Sequence, residues 1–210
     1  PWKDLEKQGW IAEADCIEVR IPLPDDLRME YALSETRQKY RVAACNRAKL
    51  DTLDELLDKH PTEHTLIIGM YLDQLDAVQR RYGFPIITGD TPERERRKLY
   101  GQFRSGALQR LIISKVGNFA IDLPDASVMI QISGTFGSRQ EEAQRLGRIL
   151  RPKAEGQMAH FYTLVSRDTQ DQEFSANRQL FLTEQGYQYI ILYADEVAAF
   201  QPRALATPRL

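Results

Sequence analysis

Thr65-Leu-Ile-Ile-Gly-Met70 is apolar at consecutive positions, not alternate ones. A half-exposed antiparallel strand alternates apolar and polar residues, whereas a strand buried on both faces has no such need. Similar short runs follow at Phe84-Pro-Ile-Ile-Thr88, Leu111-Ile-Ile-Ser114, Val128-Met-Ile-Gln-Ile132 and His160-Phe-Tyr-Thr-Leu-Val165. Polar amphipathic segments long enough for crossover helices separate them. The alternation predicts an α/β fold: an open, mostly parallel sheet with helices on both faces.

The intervening segments carry helix punctuation. Leu50, Leu53 and Leu57 repeat at helical spacing and predict a helix over 46–59. After the Phe84 run, Thr91 is placed to cap a helix, Pro92 to occupy its first position, and Glu93 to favour its positive start. Leu99 and Phe103, four residues apart, then face the core. Ser138-Arg-Gln-Glu141 reads as a capping box for a helix that Pro152 stops, and a last helix is placed near 170–183. Upstream, Cys16–Leu23 reads as a strand and Asp25–Tyr40 as one helix. This divides the chain into an entry segment at 1–41, a main domain at 42–193 and a loosely ordered tail at 194–210.

Composition narrows the function. The 210 residues carry a formal charge of −2, so a nucleic-acid surface has to be a local patch. Basic residues do bunch, at Arg94, Arg96, Arg97, Lys98 and Arg104 and again at Arg139, Arg145, Arg148, Arg151 and Lys153. Cys16 and Cys45, far apart and outside any C-x-x-C pattern, read as reduced thiols of an intracellular protein. His60, His64 and His160 lack metal-ligand spacing, so no metal site is expected. No apolar run approaches the roughly 20 residues that span a bilayer. The opening Pro1-Trp-Lys-Asp4 lacks the pattern of a signal peptide and begins abruptly, as a cut within a longer protein would.

Gln144-Arg-Leu-Gly-Arg-Ile-Leu-Arg151 concentrates the candidate chemistry. At about 100° per residue, Gln144, Arg148 and Arg151 share one face, while Ala143, Leu146, Ile149 and Leu150 take the other. The polar face is arginine without lysine, and arginine is the better bidentate partner for phosphate. Gly147 leaves room for close approach beside it. The segment follows a strand and loop, near the carboxyl edge where α/β sheets place ligands.

These residues resemble motif VI, Q-x-x-G-R-x-x-R, of superfamily 2 helicases. Ile113-Ser-Lys-Val-Gly-Asn-Phe-Ala-Ile-Asp-Leu-Pro124 resembles motif V, and Thr65–Tyr71 resembles motif IV. The combination of 113–124 with Ile130-Gln-Ile-Ser-Gly-Thr-Phe-Gly-Ser-Arg-Gln and the motif VI stretch is similar to XPB-type DNA repair helicases. Val165-Ser-Arg-Asp-Thr-Gln170 and Asn177-Arg-Gln-Leu-Phe-Leu182 fit the same family, and the likeness runs over about 1–193.

The resemblance implies a RecA-like domain, the second of two that hold ATP in the cleft between them. The phosphate-binding loop and the acidic Mg²⁺ motif belong to the first. These 210 residues contain no G-x-x-x-x-G-K-[ST]. Tyr189-Ile-Ile-Leu-Tyr-Ala-Asp195-Glu196 mimics an apolar strand ending in a Mg²⁺-binding pair and is read as a decoy. By likeness, Arg148 and Arg151 reach the γ-phosphate, Gln144 lies by the nucleotide and the attacking water, and Asp122 contacts the ribose or a motif VI arginine. Arg145 is implied in an interdomain ion pair. Ser114, Lys115 and Gly89 match positions that meet the nucleic-acid backbone, which bind phosphate without reading sequence. Arg94, Arg96 and Arg97 read as a solvated face, with an extended DNA track as the alternative. Phe119-Ala-Ile121 departs from the Arg-Gly that many superfamily members carry before the motif V acid.

The implied function is therefore half of an ATP-dependent DNA helicase or translocase. Its partners would be sequence-nonspecific DNA, the N-terminal RecA-like domain and repair proteins, in the cytoplasm or a nucleus and without a membrane. Another superfamily 2 motor, or a DNA- or protein-interaction module that never meets ATP, is the alternative.

Overall fold

In the computed structural model, residues 4, 14–114, 126–134 and 158–202 are described. The consecutive apolar runs form strands: β1 (Ala14–Ile21), β2 (Thr65–Gly69), β3 (Ile86–Ile87), β4 (Arg110–Ser114), β5 (Val128–Gln131), β6 (Ala159–Ser166) and β7 (Tyr189–Tyr193). They join in one sheet of order β3-β4-β2-β5-β6-β1-β7, and every pairing within it is parallel. The helices are α1 (Asp25–Leu33), α2 (Thr36–Ala44), α3 (Lys49–Lys59), α4 (Leu72–Tyr82), α5 (Glu93–Arg104) and α6 (Gln170–Glu184).

Strand alternation divides the core in two. Leu66, Ile68, Leu111, Ile113, Met129 and Phe161 point to the face covered by Tyr100 and Phe103 of α5 and Phe181 and Leu182 of α6. Ile67, Ile112, Ile130 and Leu164 point to the face covered by Leu53, Leu56 and Leu57 of α3 and Leu75 and Val78 of α4. Burying both faces explains why the runs are apolar throughout. Leu99 packs at the edge of the first core and Phe103 is fully buried within it, as their spacing predicts.

Several local expectations are corrected. The single helix expected over Asp25–Tyr40 is two. Ser34 is extended at ψ 148°, and its hydroxyl donates back to the Glu30 carbonyl at 2.7 Å, a local alternative that ends α1. Thr91 does not cap α5. Its hydroxyl accepts from the Thr88 N–H at 2.9 Å, tying the preceding turn, and extended Pro92 takes the cap position. The strand expected over Phe84–Thr88 is only Ile86–Ile87, with the Pro85 carbonyl accepting from Ile112 N–H at 2.9 Å.

Described residues on either side of the expected main domain, at 14–21 and 194–200, are drawn into the fold. The stretch 1–41, expected to lead into the domain, supplies β1, which lies between β6 and β7. In the tail expected to be loose, Val197 is fully buried and Lys59 Nζ donates to the Ala198 and Phe200 carbonyls at 2.9 and 2.8 Å. Glu196 accepts from the Tyr193 N–H at 2.7 Å and so caps the turn after β7. No described helix is long and apolar enough to cross a membrane, and no described cluster of His, Cys, Asp and Glu could hold a metal.

The amino-terminal edge of the sheet holds a buried histidine pair. The His60 ring lies 5.0 Å from that of His160, and its Nε2 is 2.9 Å from the Tyr162 hydroxyl. Glu63 and Asp15 stand 3.6 Å from the Nδ1 atoms of His60 and His160. Burial first, then the neighbouring His160, pushes His60 down from about 6.5 to about 4. The unfolded chain therefore takes up this proton before the folded one does. The neutral ring's contribution is complete above about pH 6.5 and is lost as pH falls through about 4. With part of the penalty screened by solvent, the loss is of order 2 kcal/mol. Urea unfolding between pH 8 and 4 checks it: His60→Gln is expected to flatten the fall seen in the parent, and an unchanged slope would refute the assignment.

Candidate functional site

Because all strands run the same way, Gly69, Ile87, Ser114, Gln131 and Ser166 end on one edge. The register sets Gly69 beside Ser114 and Ile87 beside Ile113. Ser114 and the Thr88-Gly89-Asp90 turn therefore leave the sheet on neighbouring strands, at the carboxyl edge where such folds bind ligands. Gly89 is exposed, while Ser114 is only 2% exposed. Lys115, Asp122, Gln144, Arg145, Arg148 and Arg151 lie outside the described residues, as do Phe119–Ile121 and the capping box at Ser138.

The basic residues of α5 separate by role. Arg94 is exposed, and exposed Arg97 pairs with Glu93 at 2.8 Å one turn away. Arg96 does not belong to the solvated face. It is 8% exposed, and its Nη2 donates to the Thr88 and Thr91 carbonyls at 3.2 and 3.3 Å. Its helix position turns it back over the loop, so it braces the turn that carries Gly89.

Sequence reading missed the hydrogen-bonded fastening at the end of β5. Past β5, Ile132 continues the ladder by donating to the Ile68 carbonyl at 2.9 Å. Lys49 of α3 donates to the Ile132 carbonyl at 3.0 Å and pairs with Asp171 of α6 at 2.8 Å. The two side chains are 2% and 1% exposed. Asp171 also accepts from the Ser166 N–H at 3.0 Å, which links the ends of β5 and β6 through one carboxylate. The Ser133 hydroxyl accepts from the Met70 N–H at 2.8 Å, and the Tyr40 hydroxyl donates to the Gly134 carbonyl. A Cβ at Gly134 would lie 2.7 Å from Gln131 Nε2 and 2.8 Å from Arg178 Nη1, so those side-chain ends would have to move aside. The sequence does not mark this network. Lys49 reads there as an ordinary helix residue and Asp171 as an ordinary first-turn acid.

A cavity of about 170 Å³ adjoins this edge, lined by Cys45, Asn46, Lys49, Asp73, Gln74 and Ile132. Burial raises the Cys45 thiol to about 11, so it is no nucleophile at neutral pH. Arg41, 2.7 Å away, holds the Asp73 carboxyl below its ordinary range.

Comparison with known proteins fits this geometry. The C-terminal domain of the DEAD-box protein Dbp5 has the same fold, with a TM-score of 0.57 at 17% identity over 86% of this chain and 91% of that one. The Mycobacterium tuberculosis protein named DNA 3′-5′ helicase XPB is 55% identical over 197 residues, covering 94% of this chain and 36% of that protein. The Saccharomyces cerevisiae general transcription and DNA repair factor IIH helicase/translocase subunit XPB/SSL2 is 38% identical, covering 99% of this chain and 26% of that protein. Residues 5–206 match the family described as ERCC3/RAD25/XPB C-terminal helicase, and the chain belongs to that family.

Proposed function

We propose that this chain is the C-terminal motor domain of an ATP-dependent DNA helicase or translocase. It contributes Gln144, Arg148 and Arg151, with Asp122, to an ATP site shared with an N-terminal RecA-like domain. The match of residues 5–206 to the C-terminal helicase family carries this reading. The parallel sheet adds a carboxyl edge suited to phosphate ligands.

In this reading ATP and Mg²⁺ are held mainly by the N-terminal domain, whose phosphate loop has no counterpart in these 210 residues. ATP supplies the γ-phosphoryl group and Mg²⁺ neutralises charge on the phosphates. Phosphoryl transfer is governed by positioning and charge stabilisation, so the arginines act by meeting negative charge as it develops. Gln144 orients the attacking water. Ser114, Lys115 and Gly89 contact the DNA backbone, which makes tracking indifferent to sequence and sensitive to salt. The relatives' names carry over a 3′-to-5′ polarity and a setting in DNA repair; a place inside the cell and repair-protein partners are part of the same proposal.

The division of the site has a direct test. Residues 1–210 alone are expected to hydrolyse no ATP, and the protein that includes the N-terminal RecA-like domain to show DNA-stimulated turnover. Robust ATPase from residues 1–210 alone would refute the shared site.

A further inference from the structure

We propose that Tyr40, Lys49 and Ser133 are positioning residues for ATP turnover. Through residues 132–134 they fix the point at which the chain leaves β5 toward Gln144, Arg148 and Arg151. This rests on the function proposed above.

A strand end is ordinarily held by its ladder alone. Here three successive residues are each fastened from a different element: Ile132 by Lys49 of α3, Ser133 by the Met70 amide after β2, and Gly134 by Tyr40 of α2. Gln74 of α4 adds a long contact to the Ile132 carbonyl at 3.5 Å. The Gln131 and Arg178 side chains press close against Gly134, so a larger residue there would have to displace their ends. Lys49 is in turn held by Asp171, whose other oxygen, Oδ1, has no hydrogen-bond partner among the described residues. A buried ion pair with an unsatisfied oxygen is a poor way to gain stability, because its desolvation offsets most of the attraction. It is a good way to fix one carbonyl in one place. The fastened carbonyl lies twelve residues before Gln144 in the sequence. An arginine that must meet a phosphoryl group at hydrogen-bond distance is sensitive to where its segment begins.

Tyr40→Phe separates positioning from packing. Tyr40 is 2% exposed and its ring packs edge-on against Phe174 at 5.0 Å, contacts that phenylalanine keeps while losing the hydroxyl. Tyr162→Phe is the matched control. It deletes a buried hydroxyl, bonded to His60, at the opposite edge of the sheet.

In the full-length protein, Tyr40→Phe is expected to lower kcat for DNA-stimulated ATP hydrolysis on the order of tenfold or more. KM for ATP should stay within about twofold, as loss of a transition-state interaction requires. Tyr162→Phe should keep the parental kcat. Ser133→Ala, which frees the Met70 amide, should lower kcat in the same direction and serves if Tyr40→Phe does not fold. Parental kcat in Tyr40→Phe and Ser133→Ala beside an inactive Arg148→Ala would overturn the positioning role alone. Equal losses in Tyr40→Phe and Tyr162→Phe would reduce it to stability and overturn it as well. Parental turnover in Arg148→Ala and Arg151→Ala would remove the shared-site reading, and this proposal with it.

Discussion

Arg148→Ala and Arg151→Ala in the full-length protein are each expected to lower DNA-stimulated ATP turnover by roughly 10³–10⁵-fold, or about 4–7 kcal/mol of transition-state stabilisation. The size follows from when the contact is made. Charge accumulates on the phosphoryl oxygens during transfer, so an arginine that meets it there stabilises the transition state more than bound ATP. kcat should therefore fall while KM for ATP changes little. The two losses should not add, because residues that act on one transition state fail together. At helical spacing both arginines fall opposite the apolar residues of 144–151, so alanine is expected to remove no core packing and the thermal midpoint to stay near that of the parent. Arg148→Lys is expected to recover little, since an ammonium cannot reproduce the planar two-donor fork. Parental turnover in both alanine variants would refute the arginine assignment.

The fold was legible wherever local pattern and tertiary burial agree. Ile67 and Ile112 face one core and Leu66 and Ile113 the other, so consecutive apolar residues announced a sheet covered on both sides. Leu53 and Leu57 kept helical spacing because one stripe of α3 meets that sheet. Reading failed where a polar side chain does something its sequence neighbours do not dictate. Ser34 ends α1 by bonding back to Glu30, yet serine inside a helix is common enough to pass unnoticed. Arg96 shares a segment with exposed Arg94 and Arg97, and only the position of the Thr88–Thr91 turn draws it inward.

The carboxyl edge shows the same limit over longer range. Lys49 is bonded to Asp171 across 122 positions and to Ile132 across 83, separations that no window of local sequence spans. The reading of 113–124 and 144–151 as motif stretches rests on likeness. The fastening of 132–134 was not legible, because its parts come from α2, α3, α6 and the end of β2.

Asp171→Ala is expected to cost about 3–5 kcal/mol of folding stability, because it leaves the Lys49 ammonium buried without its counter-charge. The Ser166 amide loses its acceptor in the same step. For a domain of this size the midpoint should fall by roughly 2–4 °C per kcal/mol. The double variant Lys49→Met with Asp171→Leu should recover most of that stability, since apolar residues of similar volume remove both desolvation penalties together. Urea unfolding of the parent, Lys49→Met, Asp171→Leu and the double variant closes the cycle. A strong coupling energy is expected for a pair in direct contact. A cost below about 1 kcal/mol for Asp171→Ala would mean that the pair behaves as a solvated one. The double variant also divides the two roles of the pair. Methionine cannot donate to the Ile132 carbonyl, so stability should return while ATP turnover in the full-length protein stays depressed. A protein restored in both would show that Lys49 serves folding alone.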